Sequence, residues 1–190
     1  MRILTQTGEL VREAAPRARA AAAVVALLAW GASSSADAAE GQIACALTEN
    51  GGPARGSLVV AQGGRRIASG SCAKPLSVEA GRYQVTIHLD GALDNPKQTR
   101  DATVTDGQTA TVAVDFKTGT LEVRIEAQEQ RGTGLVVVEK DGRRLGTLGS
   151  GVAARLSSGS YQVIVRLGGK EQRHAVDLRP GQRRVVRAQF

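Results

Sequence analysis

An all-β fold, two tandem antiparallel β-sandwich repeats behind an N-terminal signal peptide helix, follows from three features of the sequence. An offset of 78 residues superimposes the two halves of the chain, apolar residues alternate within short segments, and turn-forming pairs punctuate those segments.

The repeat comes first because it fixes the organisation. At that offset Gly41 falls on Gly119, Gly56 on Gly134, Gly64-Arg65-Arg66 on Gly142-Arg143-Arg144, Gly81 to Val85 on Gly159 to Val163, and Gly91 on Gly169. After Gly91 the first copy carries about four extra residues, and the match resumes with Gly107-Gln108 on Gly181-Gln182 and Phe116 on Phe190. The expected divisions are 1–38 for a signal peptide, 39–117 for the first repeat and 118–190 for the second.

Alternation supplies the strands. In Leu121-Glu122-Val123-Arg124-Ile125-Glu126 the aliphatics point one way and the charges the other, and Tyr161, Val163, Val165 and Leu167 repeat the period, as do Val112, Val114 and Phe116. Gly51-Gly52-Pro53, Gly63-Gly64, Asp106-Gly107, Asp141-Gly142 and Pro180-Gly181 mark the turns. About seven short strands per copy result, beginning near residues 42, 57, 65, 75, 82, 100 and 109 in the first. A single eight-stranded membrane barrel is the rival architecture, but such barrels need strands of about ten residues and aromatic girdles. Only two Phe, two Tyr and one Trp are present, so the girdles are missing.

The leader reads as an export signal. Arg2, Arg12, Arg17 and Arg19 precede an unbroken apolar run from Ala20 to Trp30, and Ala36-Asp37-Ala38 supplies the small-residue pattern for cleavage after Ala38. The run is shorter than the roughly 20 residues a membrane span needs, so no span is expected in the mature form. Cys45 lies too far beyond the run for a lipoprotein, and the run lacks the charged face of an amphipathic anchor. Export places the mature chain in the periplasm or outside the cell. In such an oxidising compartment two cysteines in one small unit pair, so Cys45 and Cys72 are expected as a disulfide confined to the first repeat. Val123 and Ser150 stand in their places in the second.

The run Gly-x-Tyr-x-Val after a basic turn, with a later Gly-Gln-x-x-x-Val strand, resembles the bacterial PEGA-like and carboxypeptidase-regulatory-like repeats, which are immunoglobulin-like or transthyretin-like sandwiches. The resemblance spans most of residues 41–190, although the Pro-Glu-Gly-Ala string is absent. It implies a spacer, interaction or accessory module without catalytic residues.

Nothing in the sequence requires chemistry. His88 and His174 are the only histidines, each replaced by arginine in the other copy (Arg166 and Arg100), and they read as surface residues. No nucleophile elbow, zinc helix or phosphate loop appears, and Gly132-Thr133-Gly134 and Gly149-Ser150-Gly151 read as turns. No cofactor or metal is expected. The loop Asp90-Gly91-Ala92-Leu93-Asp94-Asn95-Pro96, made by the extra residues, lacks a calcium-loop pattern and reads as a solvated turn or a recognition loop.

Charge separates the copies. Residues 39–118 carry eight basic and eight acidic side chains, whereas residues 119–190 carry thirteen and seven. Arg143, Arg144, Arg183, Arg184 and Arg187 are the candidate contacts to an anion, with an arginine-rich solvated surface as the alternative. Alternation turns Val186, Ala188 and Phe190 inward and leaves Arg183 and Arg187 side by side outside, a repulsion that an anionic partner would relieve. Export excludes nucleic acid. The expected function is a non-enzymatic exported adaptor or structural module contacting an unknown protein or an anionic cell-envelope component. The alternatives are an anionic-polymer or carbohydrate binding protein and a small exported enzyme with scattered site residues.

Overall fold

A computed structural model describes residues 40–127 and 134–190. The expected signal peptide, with its cleavage site after Ala38, lies outside the described residues, as do Gly132 and Thr133. Among the described residues every regular element is a strand, and no helix is long and apolar enough to cross a membrane.

Eight strands form the first part of the fold: β1 (Glu40–Glu49), β2 (Gly52–Pro53), β3 (Gly56–Gln62), β4 (Arg65–Ser71), β5 (Leu76–Glu79), β6 (Gly81–Leu89), β7 (Lys97–Val104) and β8 (Thr109–Phe116). Seven follow: β9 (Thr118–Glu126), β10 (Leu135–Lys140), β11 (Arg143–Leu148), β12 (Ala153–Ser157), β13 (Gly159–Leu167), β14 (Lys170–Leu178) and β15 (Arg183–Gln189). The two-residue β2, paired with β1 across the Asn50-Gly51 turn, is the one strand beyond the expected count.

In the first sandwich β1 holds β5 and β2 along one edge and β8 along the other, facing a sheet in the order β4-β3-β6-β7. The second repeats the plan with β12-β9-β15 facing β11-β10-β13-β14. These are separate open sheets, which removes the barrel alternative. Among the described residues all strand-to-strand pairings are antiparallel but two: β8 runs parallel to β1, and β15 to β9. Parallel neighbours need a long crossover. Here the crossover is the whole facing sheet, traversed before the last strand returns to the first.

Alternation sorts side chains as the period demands. Tyr83, Val85, Ile87 and Leu89 of β6 meet Ile43, Leu47, Val112, Val114 and Phe116 in one aliphatic core. Tyr161, Val163 and Val165 of β13 meet Leu121, Val123, Val186 and Ala188 in the other. The two tyrosines hold equivalent places: each phenol donates to a carbonyl four residues back, Tyr83 to Glu79 at 2.8 Å and Tyr161 to Ser157 at 2.6 Å. Phe190 packs against the second core, as Phe116 does within the first.

Backbone approach explains one of the repeated glycines. A Cβ on Gly56 would stand 2.1 Å from the carbonyl oxygen of His88, so β3 can lie against β6 there only without a side chain. The Asp141-Gly142 hairpin has φ of 51° and 74°, the left-handed pair that a tight two-residue turn requires.

Edges are protected in the same way twice. Gln98 of β7 donates through Nε2 to the carbonyl of Asp115 at 3.4 Å, and Gln172 of β14 donates to that of Gln189 at 2.5 Å. Each glutamine thereby occupies a late carbonyl on the strand at the open side of the opposite sheet.

Candidate functional site

The extra residues of the first repeat form neither a solvated turn nor a free recognition loop. They clasp the second sandwich. Ala92 makes a parallel bridge with Arg155 of β12, and the Leu93 amide donates to the Arg155 carbonyl at 2.8 Å. Asp94 accepts from the Ser157 amide at 3.1 Å. Leu93 packs against the second core and lies over Gly146, where a Cβ would stand 2.7 Å from the Leu93 Cδ1. Ala92 is only 4 % exposed, so the segment is an integral contact.

Four polar side chains, those of Arg155, Glu49, Asn50 and Thr118, complete this joint. The Arg155 guanidinium donates to Glu49 Oε2 at 2.8 Å and also to the Asp90 carbonyl. The carboxamide of Asn50 behaves like a peptide group: its Nδ2 donates to the Thr118 carbonyl at 3.0 Å, and its Oδ1 accepts from the Thr118 amide at 3.1 Å. The Thr118 hydroxyl, in a residue 2 % exposed, donates to Glu49. Burial, and then the carboxylate of Asp94, push the Tyr161 phenol well above its ordinary range. The arrangement has the character of an interface: apolar contact at the centre, hydrogen bonds around it and one half-buried ion pair.

Asp115 anchors the turn that carries Asn50. It accepts from the Gly51 amide and the Thr48 hydroxyl at 3.0 Å each and pairs with Lys117 at 2.5 Å. The Lys117 ammonium first, and the Gly51 amide next, lower its pKa to about 2.

The disulfide joins Cys45 of β1 to Cys72 beyond β4, tying one sheet of the first sandwich to the other. In the second sandwich Val123 is fully buried and the Ile125 amide donates to Ser150 Oγ at 2.9 Å, so a core side chain and a hydrogen bond replace the bridge.

The five candidate arginines do not converge. Arg143 and Arg144 open β11, at one edge of its sheet. Arg183, Arg184 and Arg187 lie on β15, which packs against β14 at the opposite edge. Nor do Arg183 and Arg187 form the unrelieved pair that alternation suggested, because the parallel neighbour β9 supplies carboxylates. Arg183 pairs with Glu122 at 2.5 Å and Arg187 with Glu126 at 3.6 Å. Glu122, expected on an open face, is 3 % exposed beneath Arg183 and Arg124, which together lower its pKa. Arg143, Arg144 and Arg184 have no ion-pair partner among the described residues.

His174 is also not the satisfied surface residue its sequence suggested. Its Nε2 is buried and has no hydrogen-bond partner among the described residues.

A cleft of about 430 Å³ lies on the first sandwich beside the Gly63-Gly64 turn, lined by Gln62, Arg82, Gln84, Asp101 and Thr103. Among the described residues no group of three or more His, Cys, Asp or Glu is arranged to hold a metal.

No protein-family model matches the sequence, and no curated protein matches it. The chain is therefore not shown to belong to the PEGA-like or carboxypeptidase-regulatory-like repeats, although the sandwich architecture that resemblance implied is present. Among solved structures it is similar to the Bacillus anthracis TIE protein, at 10 % identity and TM-score 0.39, over 80 % of this chain and 33 % of that one. It is similar also to GBS52, the minor pilin of Streptococcus agalactiae, at 10 % identity and TM-score 0.38, over 79 % of this chain and 94 % of the pilin. The chain thus spans about a third of the TIE protein's length, and likeness at this level carries no argument about activity or partners.

Proposed function

We propose that the protein is an exported, non-enzymatic structural module: two sandwiches, residues 39–117 and 118–190, held as one stiff spacer in the periplasm or outside the cell. The joint carries this reading. A flexible tether would need none of the contacts at Glu49, Asn50, Leu93, Asp94, Thr118 and Arg155, whereas a spacer that must transmit orientation needs a partly buried, hydrogen-bonded connection. The Cys45–Cys72 bridge suits an oxidising compartment. Backbone 15N relaxation of the mature chain tests the reading: one rotational correlation time across both sandwiches is expected, and two independent times would overturn it.

A second reading, contact with an anionic envelope component, is favoured by the basic excess of the second repeat and by Arg143, Arg144 and Arg184, which no carboxylate neutralises among the described residues. Cosedimentation with isolated envelope material should weaken as salt rises, and it should weaken further in a variant with all three changed to Gln. Equal, salt-insensitive association of both proteins would remove this reading and leave the spacer.

A further inference from the structure

The first sandwich has an outer end equivalent to the end of the second that receives the clasp. Four residues of that receiving end make the contacts, and each is replaced at the equivalent place in the first sandwich. Thr118, which bonds Asn50 and Glu49, becomes Glu40. Ser157, whose amide binds Asp94, becomes Glu79. Arg155, the partner of Glu49, becomes Ser77, and Gly146, over which Leu93 lies, becomes Ala68. Strand registers confirm the equivalence: Glu40 pairs with Glu79 as Thr118 pairs with Ser157, and Val60 pairs with Ala68 as Val138 pairs with Gly146.

We infer that the outer end of the first sandwich is shaped to refuse the clasp, so that this loop joins only its own second sandwich and copies of the chain do not link head to tail through it. Each replacement acts against docking. Glu40 and Glu79 would bring two more carboxylates beside the incoming Glu49 and Asp94, where the true joint has the Thr118 hydroxyl and the uncharged Ser157 side chain; the backbone amide that binds Asp94 is common to both ends, and only the charge beside it differs. Ser77 leaves Glu49 without its cation. A methyl group at the Gly146 position, which Ala68 carries in the first sandwich, would stand 2.7 Å from the Leu93 Cδ1, so Leu93 would have to shift to dock. Two similar units in one chain compete for each other's surfaces during folding, and repulsion built into the wrong surface is the usual way to bias that competition.

Reciprocal grafting tests this. A labelled peptide of residues 89–97 is titrated against the mature chain and against the variant Glu40→Thr, Ala68→Gly, Ser77→Arg, Glu79→Ser. The grafted end should bind the peptide at least about tenfold more tightly than the native end, a difference worth about 1.4 kcal/mol. In the opposite graft, Thr118→Glu, Gly146→Ala, Arg155→Ser, Ser157→Glu, relaxation should show two folded sandwiches tumbling separately. A milder variant, Gly146→Ala with Ser157→Glu, serves if the fourfold change fails to fold. Equal binding of the peptide to native and grafted ends, undetectable binding included, or a joint that stays closed in the opposite graft overturns the inference. The inference rests on the joint being stiff. Two correlation times in the native chain sink that reading first, whereas one time with failed grafts sinks only the refusal.

Discussion

Arg155 of β12 reaches Glu49 of β1 across 106 residues of sequence, its guanidinium 2.8 Å from the carboxylate. Glu49 is mostly enclosed while Arg155 keeps partial access to solvent, so the pair belongs to the half-buried class in which loss of one partner costs more than the pair itself contributes. The Arg155 Nε has no partner among the described residues, and the guanidinium's hold on the joint comes through its two terminal nitrogens.

Arg155→Ala should therefore destabilise the protein by about 1–3 kcal/mol, the range for stranding a hydrogen-bonded buried group. Denaturant unfolding should change from one transition toward two as the sandwiches uncouple. Asp94→Ala should act in the same direction by a smaller amount, because it frees the Ser157 amide and leaves no unpaired charge behind. An unchanged single transition in both variants would show that the joint contributes nothing to cooperativity.

Opening the disulfide should destabilise the first sandwich alone. The bridge closes a separation of 27 residues. Chain entropy assigns such a closure about 3.5 kcal/mol. Mass spectrometry of the protein purified without reductant should find no free thiol, and a Cys45→Ser, Cys72→Ser variant should lose about that stability while hydrogen exchange in β9–β15 stays protected. Equal loss of protection in both sandwiches would contradict the confinement.

His174 is predicted to be replaceable at a profit in stability. A buried polar atom without a partner costs about 1–3 kcal/mol, and the Nε2 of His174 is such an atom. His174→Leu should raise the unfolding midpoint or leave it unchanged. A large loss would mean that the ring makes a contact a leucine cannot replace.

Acid should unfold the protein through carboxylates that hold their charge more tightly when folded. Asp115, lowered to about 2 by Lys117 and the Gly51 amide, and Glu122 and Glu171, lowered chiefly by Arg183 and Arg166 respectively, all lose protons more readily in the folded state. Their stabilisation is present above the ordinary carboxylate range and is lost as pH falls below it, for Asp115 between about 4 and about 2. Stability measured against pH should decline through that window, and Glu122→Gln should flatten the decline. A curve unchanged by the substitution would remove Glu122 from the account.

The sequence by itself determined the repeat, the strands and their inward faces. A period of two residues sorts side chains to one face or the other whatever lies beyond, and glycine pairs force turns wherever they stand. It also placed the disulfide, since two cysteines in a chain leave one pairing. Only the tertiary structure decided what the differences between the copies do. Glu122 alternates outward, yet it is enclosed because Arg124 and Arg183, the latter from a strand 61 residues away, close over it. The Nε2 of the half-buried His174 is covered by neighbours its own strand does not announce. The residues 90–96 look like a surface loop in any local window, because a local window contains neither Arg155 nor Gly146. Periodicity reports which way a side chain points, and contact depends on which distant element the fold brings to meet it.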